Sequence, residues 1–189
     1  MKYLLCLFTA IILSGCASTM DSIAGIGVIN ESTSTFDGSR IISVSPSWVA
    51  GATDTDLTAT KIGARWNSST PEYVALLLSY SSSVNYGDSY VSFSGLKINI
   101  GGSIKSFTVT GSTSHSSSNY NSVSNDIYTQ SEAVVVIPMA LLRDMLTAED
   151  VRLRIEYLNE YEDVRFNFEE SGYGQRLAKS YIAEMLSKI

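Results

Sequence analysis

Leu96-Lys97-Ile98-Asn99-Ile100-Gly101-Gly102-Ser103-Ile104 is the stretch that decides the fold class. Leu96, Ile98 and Ile100 fall on one side of an extended chain, and Lys97 and Asn99 on the other. That period of two belongs to a strand with one buried face, not to a helix. Gly101-Gly102 then permits the positive φ angles of a two-residue hairpin turn. Residues 104–110 read as the returning strand, with Phe107 and Val109 on one face. The same grammar recurs further on. Val151, Leu153, Ile155 and Tyr157 alternate with Arg152, Arg154 and Glu156, and Asn159-Glu160 turns the chain. Val164, Phe166 and Phe168 then alternate with Arg165, Asn167 and Glu169. Two hairpins, each with one wet face, point to antiparallel sheet.

Working outward from these hairpins, more strands follow. Residues 73–78 form a continuous apolar run after the breaker Asn67-Ser68-Ser69-Thr70-Pro71, and predict a central strand buried on both faces. Ile41, Ile42 and Val44 are β-branched, and Pro46 limits that run to an edge or an end. Residues 61–66 and 127–137 add two more strands, and 23–29 a possible first edge strand. Residues 81–89 read as a polar loop, and 51–56 as a turn. Residues 111–126 are nearly all Ser, Asn, Thr and Gly, and predict a long mobile loop unable to bury apolar surface. Pro138 suits the first turn of a short helix running to Leu146. From Ser171 or Gly172 a final helix follows. Its Leu177, Tyr181, Met185 and Ile189 recur every four residues, with Ala178, Ile182 and Leu186 beside them. The expectation is a mainly β (α+β) domain of roughly seven to nine strands. It would be an antiparallel β-sandwich or curved sheet, with one short internal helix and a C-terminal amphipathic helix.

The N-terminal segment carries an address. Met1-Lys2 is a positive start, and residues 3–13 are apolar. Eleven residues are too few to span a bilayer, which needs about 20. The length fits a secretory signal removed after export. Leu13-Ser14-Gly15-Cys16 closes the run, with a cysteine where cleavage would fall. This stretch resembles the lipobox of bacterial lipoproteins. The resemblance implies diacylglycerol on the Cys16 sulfur, cleavage after Gly15 and acylation of the new amino group. Each buried methylene contributes roughly 0.8 kcal/mol, so two or more chains anchor stably. It also implies that Ala17, where an Asp would signal inner-membrane retention, sends the protein to the outer membrane, facing the periplasm. Residues 1–15 are then the signal peptide, 16–38 a lipidated Ser/Thr/Gly-rich tether, and 39–189 a single domain.

Composition narrows the chemistry. Acidic residues outnumber basic ones 19 to 13, with no basic run, so nucleic acid is not an expected partner. Cys6 leaves with the signal and Cys16 is modified, so no disulfide or thiol chemistry is expected of the mature domain. His115 is the single histidine and lies in the serine-rich segment, without a G-x-S-x-G elbow elsewhere. Asp54 and Asp56 have the spacing of a calcium-loop start but lack its glycine and distal glutamate. Glu156, Glu160, Glu162, Asp163, Glu169 and Glu170 form an acidic cluster. Cross-strand ion pairs with Arg152, Arg154 and Arg165 account for it without a carboxylate active site. Aromatics at strand ends and in polar loops are the candidate ligand-binding residues, Trp48, Trp66, Tyr86 and Tyr120 above all. The expected function is a non-enzymatic envelope lipoprotein, held to the bilayer through acylated Cys16, with a binding or assembly role toward an envelope protein partner. No cofactor or metal is expected. The alternatives are a glycan- or peptidoglycan-binding module using the loop aromatics, and a hydrolase using His115.

Overall fold

A computed structural model describes residues 25–51, 57–85, 89–168 and 175–189. The lipobox, Asp54, Asp56 and Tyr86 lie outside the described residues, as does the expected start of the last helix. The described chain is mainly β. Its strands are β1 (Ile29–Thr33), β2 (Arg40–Ala50), β3 (Leu57–Asn67), β4 (Tyr73–Ser83) and β5 (Phe93–Ile100). They continue with β6 (Ser103–Thr108), β7 (Ser114–Ser117), β8 (Tyr128–Pro138), β9 (Val151–Tyr157) and β10 (Tyr161–Arg165). Helix α1 (Met139–Thr147) sits between β8 and β9, and α2 (Ala178–Leu186) follows β10. All strands join one antiparallel sheet in the order β6-β5-β9-β10-β2-β3-β4-β8-β7, with β1 also paired to β2.

The hairpins form as their periodicity dictates. Gly101 and Gly102 have φ of 56° and 91°, and Ile100 pairs directly with Ser103 across the two-residue turn. Leu96 and Ile98 are fully buried, as are Leu153 and Ile155 opposite them on β9. Strand β4 lies inside the sheet, paired to β3 and along its whole length to β8. Its Val74, Leu76 and Leu78 are in the core, while Ala75 and Leu77 on the other face are only half-buried. Strand β4 is therefore covered mainly on one side.

Residues 111–126 are a correction. Ser114–Ser117 forms β7, hydrogen-bonded to the edge of β8, and Asn121 and Asp126 exchange backbone bonds around a turn. The β7 side chains are exposed, so the backbone ladder, not apolar burial, orders this serine-rich stretch. This strand and the longer β4 take the sheet beyond the expected strand content. The first edge strand also begins later than expected, at Ile29.

One core fills the inside of the sheet. It unites Ile42, Val44, Leu76, Val135, Leu96 and Leu153 with Leu142 and Met145 of α1 and Ile182 and Met185 of α2. The C-terminal stripe packs as its spacing predicts, except that Ile189 is exposed. Two close fits hold this core. Strand β2 carries an irregularity between Val44 and Ser47, at Pro46. It presses the β2 backbone against Gly63 of β3: a Cβ there would sit 2.5 Å from the Val44 carbonyl oxygen. Lys179 of α2 is buried. Its Nζ donates to the carbonyl of Ala148, the C-cap of α1, at 2.8 Å, and lies over the Phe168 ring at 4.6 Å.

The sheet is continuous between its halves through the single pair Arg165↔Ala50 of β10 and β2. Side chains clasp the halves beside that seam. The Glu162 carboxylate accepts hydrogen bonds from Thr60 Oγ1 at 2.6 Å and Tyr157 Oη at 2.7 Å. Tyr80 and Phe93 pack edge-on and tilted against the Tyr157 ring. Burial pushes the Tyr157 phenol well above its usual range, and the Glu162 charge adds to this. Glu162 thus turns inward from the acidic cluster, whereas Asp163 beside it points outward to Arg154.

Candidate functional site

The outer face of β5, β6, β9 and β10 forms a groove of about 330 Å³. Alternation builds it. Leu153 and Val164 face the core, so Arg152, Arg154, Asp163 and Arg165 must face out. Strand pairing then sets the side chains in two rows. One row runs Lys97, Arg154, Asp163 across β5, β9 and β10. The next runs Ile104, Asn99, Arg152, Arg165 across β6, β5, β9 and β10.

The first row is internally neutralised. Arg154 Nε and Nη2 each donate to the Asp163 carboxylate at 2.7 Å, a two-pronged pair. Its guanidinium also lies 3.9 Å from the centre of the Tyr161 ring. The hydrogen bond to Asp163 raises the Arg154 pKa, and the bond to Arg154 holds the Asp163 carboxyl below its ordinary range. Lys97 pairs with Glu156 at 2.5 Å. Arg154–Asp163 is a cross-strand ion pair of the kind expected from the sequence, and Lys97–Glu156 adds one with a partner on β5 that was not expected. Both partners of each pair are partly exposed, so each contributes only about 0–1 kcal/mol to stability.

The second row is different. Arg152 lies directly opposite Arg165 on the neighbouring strand. Arg152 meets Asp150 only at 3.4 Å, with both side chains more than half exposed. Asn99 Oδ1 accepts the Gly102 N–H at 2.9 Å, which leaves its amide NH2 as the donor it presents. Ile104, at the β6 end of the row, is 63 % exposed. The row therefore sets two arginines, an amide and one apolar side chain side by side across four strands.

The aromatics singled out from the sequence are spread apart. Trp66 is buried on the core face of β3 with Ile62 and Ala64, and its Nε1 donates to the Pro71 carbonyl at 3.3 Å. Trp48 is half-buried and pairs in register with Lys61, whose Nζ lies 4.4 Å from the ring centre. Burial lowers the Lys61 pKa. Tyr120 is exposed in the turn between β7 and β8, donating to Asn125 Oδ1 at 3.0 Å. Parity on β3 puts Lys61 and Trp66 on opposite faces, so Trp48 and Trp66 do not converge. A second depression of about 300 Å³ on the other half of the sheet includes Leu77, Glu132 and Val134.

His115 lies on β7, with Nδ1 3.2 Å from Ser131 Oγ and its ring against Tyr90. Ser131 is fully buried, and its Oγ accepts the Val91 N–H at 3.1 Å. That hydroxyl is a framework group, out of reach of a substrate carbonyl. Among the described residues no three His, Cys, Asp or Glu side chains cluster as metal ligands. Nor is any helix among them long and apolar enough to cross a membrane. The cationic groove went unseen in the sequence because its two rows join residues from separate hairpins. The alternation that exposes Arg152, Arg154 and Arg165 was its only signal. No family model matches the chain, and neither curated proteins nor solved structures give a match to it.

Proposed function

We propose that this chain is a lipid-anchored envelope protein with a non-enzymatic binding or accessory role at the outer membrane. The observation that carries the anchor is Leu13-Ser14-Gly15-Cys16 at the end of an apolar run of signal-peptide length. Support for a binding role comes from the β5-β6-β9-β10 groove: it is of small-ligand size and lined by positioned polar side chains, with no accessible nucleophile beside a base. In this reading the acyl chains on Cys16 hold the domain at the bilayer, and the sheet face does the recognising.

Metabolic labelling with a clickable palmitate analogue, followed by fractionation, tests the anchor. The wild-type chain is expected to take up label and to sediment with membranes. Cys16→Ala is expected to lose the label entirely and to keep its signal segment. Label retained by Cys16→Ala would end the lipoprotein reading.

A further inference from the structure

We propose that the outward face of β4 and β8 is a membrane-docking surface, seated on an anionic phospholipid bilayer. This rests on the lipid-anchor reading above and extends it, from a chain tethered to a bilayer to a domain oriented on one. Residues 73–78 of β4 and 133–138 of β8 are apolar at every position, the pattern of strands covered on both faces. Only their inward side chains lie in the core. The outward ones stack in three consecutive rungs, Tyr73↔Pro138, Ala75↔Val136 and Leu77↔Val134. Tyr73, Val136 and Pro138 are exposed, and the other three are half-buried. A sheet face turned to water ordinarily carries polar side chains at such positions. An apolar block rimmed by polar residues marks a contact surface.

Two observations identify the bilayer as what covers it. The first is the rim. On β3 the outward positions beside the block are Lys61, Gly63 and Arg65, in register with Ser79, Leu77 and Ala75. Two cations thus flank the apolar rungs. Their long side chains can lay methylenes on apolar surface and reach lipid phosphates with their charged ends. Tyr73, at the end of the block, has an amphipathic ring suited to the water–lipid boundary. Glu132 stands one rung beyond Val134, opposite Ser79, and closes the block on that side; its carboxylate accepts from Gln130 Nε2 at 2.8 Å. The second observation is where the tether arrives. The carbonyl of Gly25, the first described residue, accepts a hydrogen bond from Ser45 Oγ at 2.7 Å. Ser45 belongs to the irregular part of β2 that lies against Gly63, and Pro46 beside it lines the depression with Leu77 and Val134. Cys16 stands nine residues before Gly25, so the acyl chains are joined to this face by a span of at most about 30 Å.

The test uses the full lipidated chain in vesicles of phosphatidylethanolamine and phosphatidylglycerol. Cys6 leaves with the signal and Cys16 is acylated, so Val136→Cys supplies one thiol for a nitroxide label. Tyr73→Cys, at the end of the block, is the second reporter, and Arg143→Cys, on the exposed side of α1, is the control. The readout is the collision rate of each label with a water-soluble nickel chelate and with oxygen. Labels at 136 and 73 are expected to collide with nickel at least about tenfold less often than the label at 143, because a docked apolar face sinks to the headgroup–acyl boundary. Their oxygen collisions should exceed those at 143. Adding Arg65→Gln to Val136→Cys is expected to lower the ratio of docked to undocked protein about fivefold, the share of one basic side chain at an anionic surface. Labels at 136 and 73 as open to nickel as that at 143, on an acylated chain that sediments with the vesicles, overturn the docked face and leave the anchor standing. A chain without acyl groups overturns the anchor and the docking with it. Dipolar coupling between the 136 labels of two chains shows that a second copy covers the face, and also overturns the proposal.

Discussion

Gly63→Ala is expected to destabilise the protein by about 3 kcal/mol, at the upper end of the usual cost of overpacking. Adding a methyl to a strand glycine ordinarily helps, by about 0.5–1 kcal/mol, because the unfolded chain loses freedom. Here the sign reverses. The new Cβ would lie 2.5 Å from the Val44 carbonyl oxygen, 2.8 Å from Pro46 nitrogen and 3.0 Å from Ser45 carbonyl carbon. All three are backbone atoms, so no side chain can swing aside. The irregular part of β2 must move as a unit, and it is flanked by Val44 and Val49, both in the core. Urea denaturation should show a lower midpoint with an unchanged slope. A midpoint equal to or above wild type would show that β2 yields freely at Pro46.

Lys179→Ala is the second large effect, also about 3 kcal/mol. Helix α1 has no basic residue in its last turn. Lys179 supplies the missing cation from α2, bonding the Ala148 carbonyl at the negative end of the α1 dipole. Truncation removes a buried side chain and leaves that carbonyl without its donor. Lys179→Met separates the two contributions. It keeps the volume and removes a buried charge, whose desolvation offsets the lost hydrogen bond, so stability should stay within about 1 kcal/mol of wild type. The pH dependence follows from the same burial, which lowers the Lys179 pKa from its ordinary 10.5. Between the lowered value and 10.5 the unfolded chain binds more protons than the folded one. This lysine's contribution to stability therefore rises with pH across that window and levels off above it. The stability of wild type minus that of Lys179→Met, followed by denaturation across the alkaline range, should increase in that direction. A difference independent of pH would mean that Lys179 is not desolvated in solution.

Much of this architecture is legible in local periodicity. The β5–β6 and β9–β10 hairpins follow from alternation and from their turns, and the α2 stripe from four-residue spacing. What the pattern hides is whatever depends on a partner remote in the chain. Strand β7 has no apolar face and owes its order to the free edge of β8, so composition alone points the wrong way. Glu162 sits among acidic neighbours, and only the approach of Thr60 from β3 makes it an inward-facing acceptor. Trp66 stands at the end of β3 like a rim aromatic, yet its parity with Ile62 and Ala64 puts it in the core. In the groove, the outward position of Arg152 and Arg165 is readable, and their direct opposition is a matter of register. The placement of Asn99 beside them requires β5 to pair with β9, which no short-range signal announces.

The seam at Arg165↔Ala50 bears on how the molecule opens. Elsewhere the main strands meet along ladders of several rungs, but β10 and β2 meet through one, and on the far side the halves are joined by the Thr110 N–H bonding the Val134 carbonyl. Protection of amides against hydrogen exchange should therefore divide into two cooperative blocks, β2-β3-β4-β8 and β5-β6-β9-β10. The Thr60–Tyr157–Glu162 clasp and the core shared by both halves oppose the opening that separates them. The cationic groove lies wholly within the second block, so it stays intact when the blocks part.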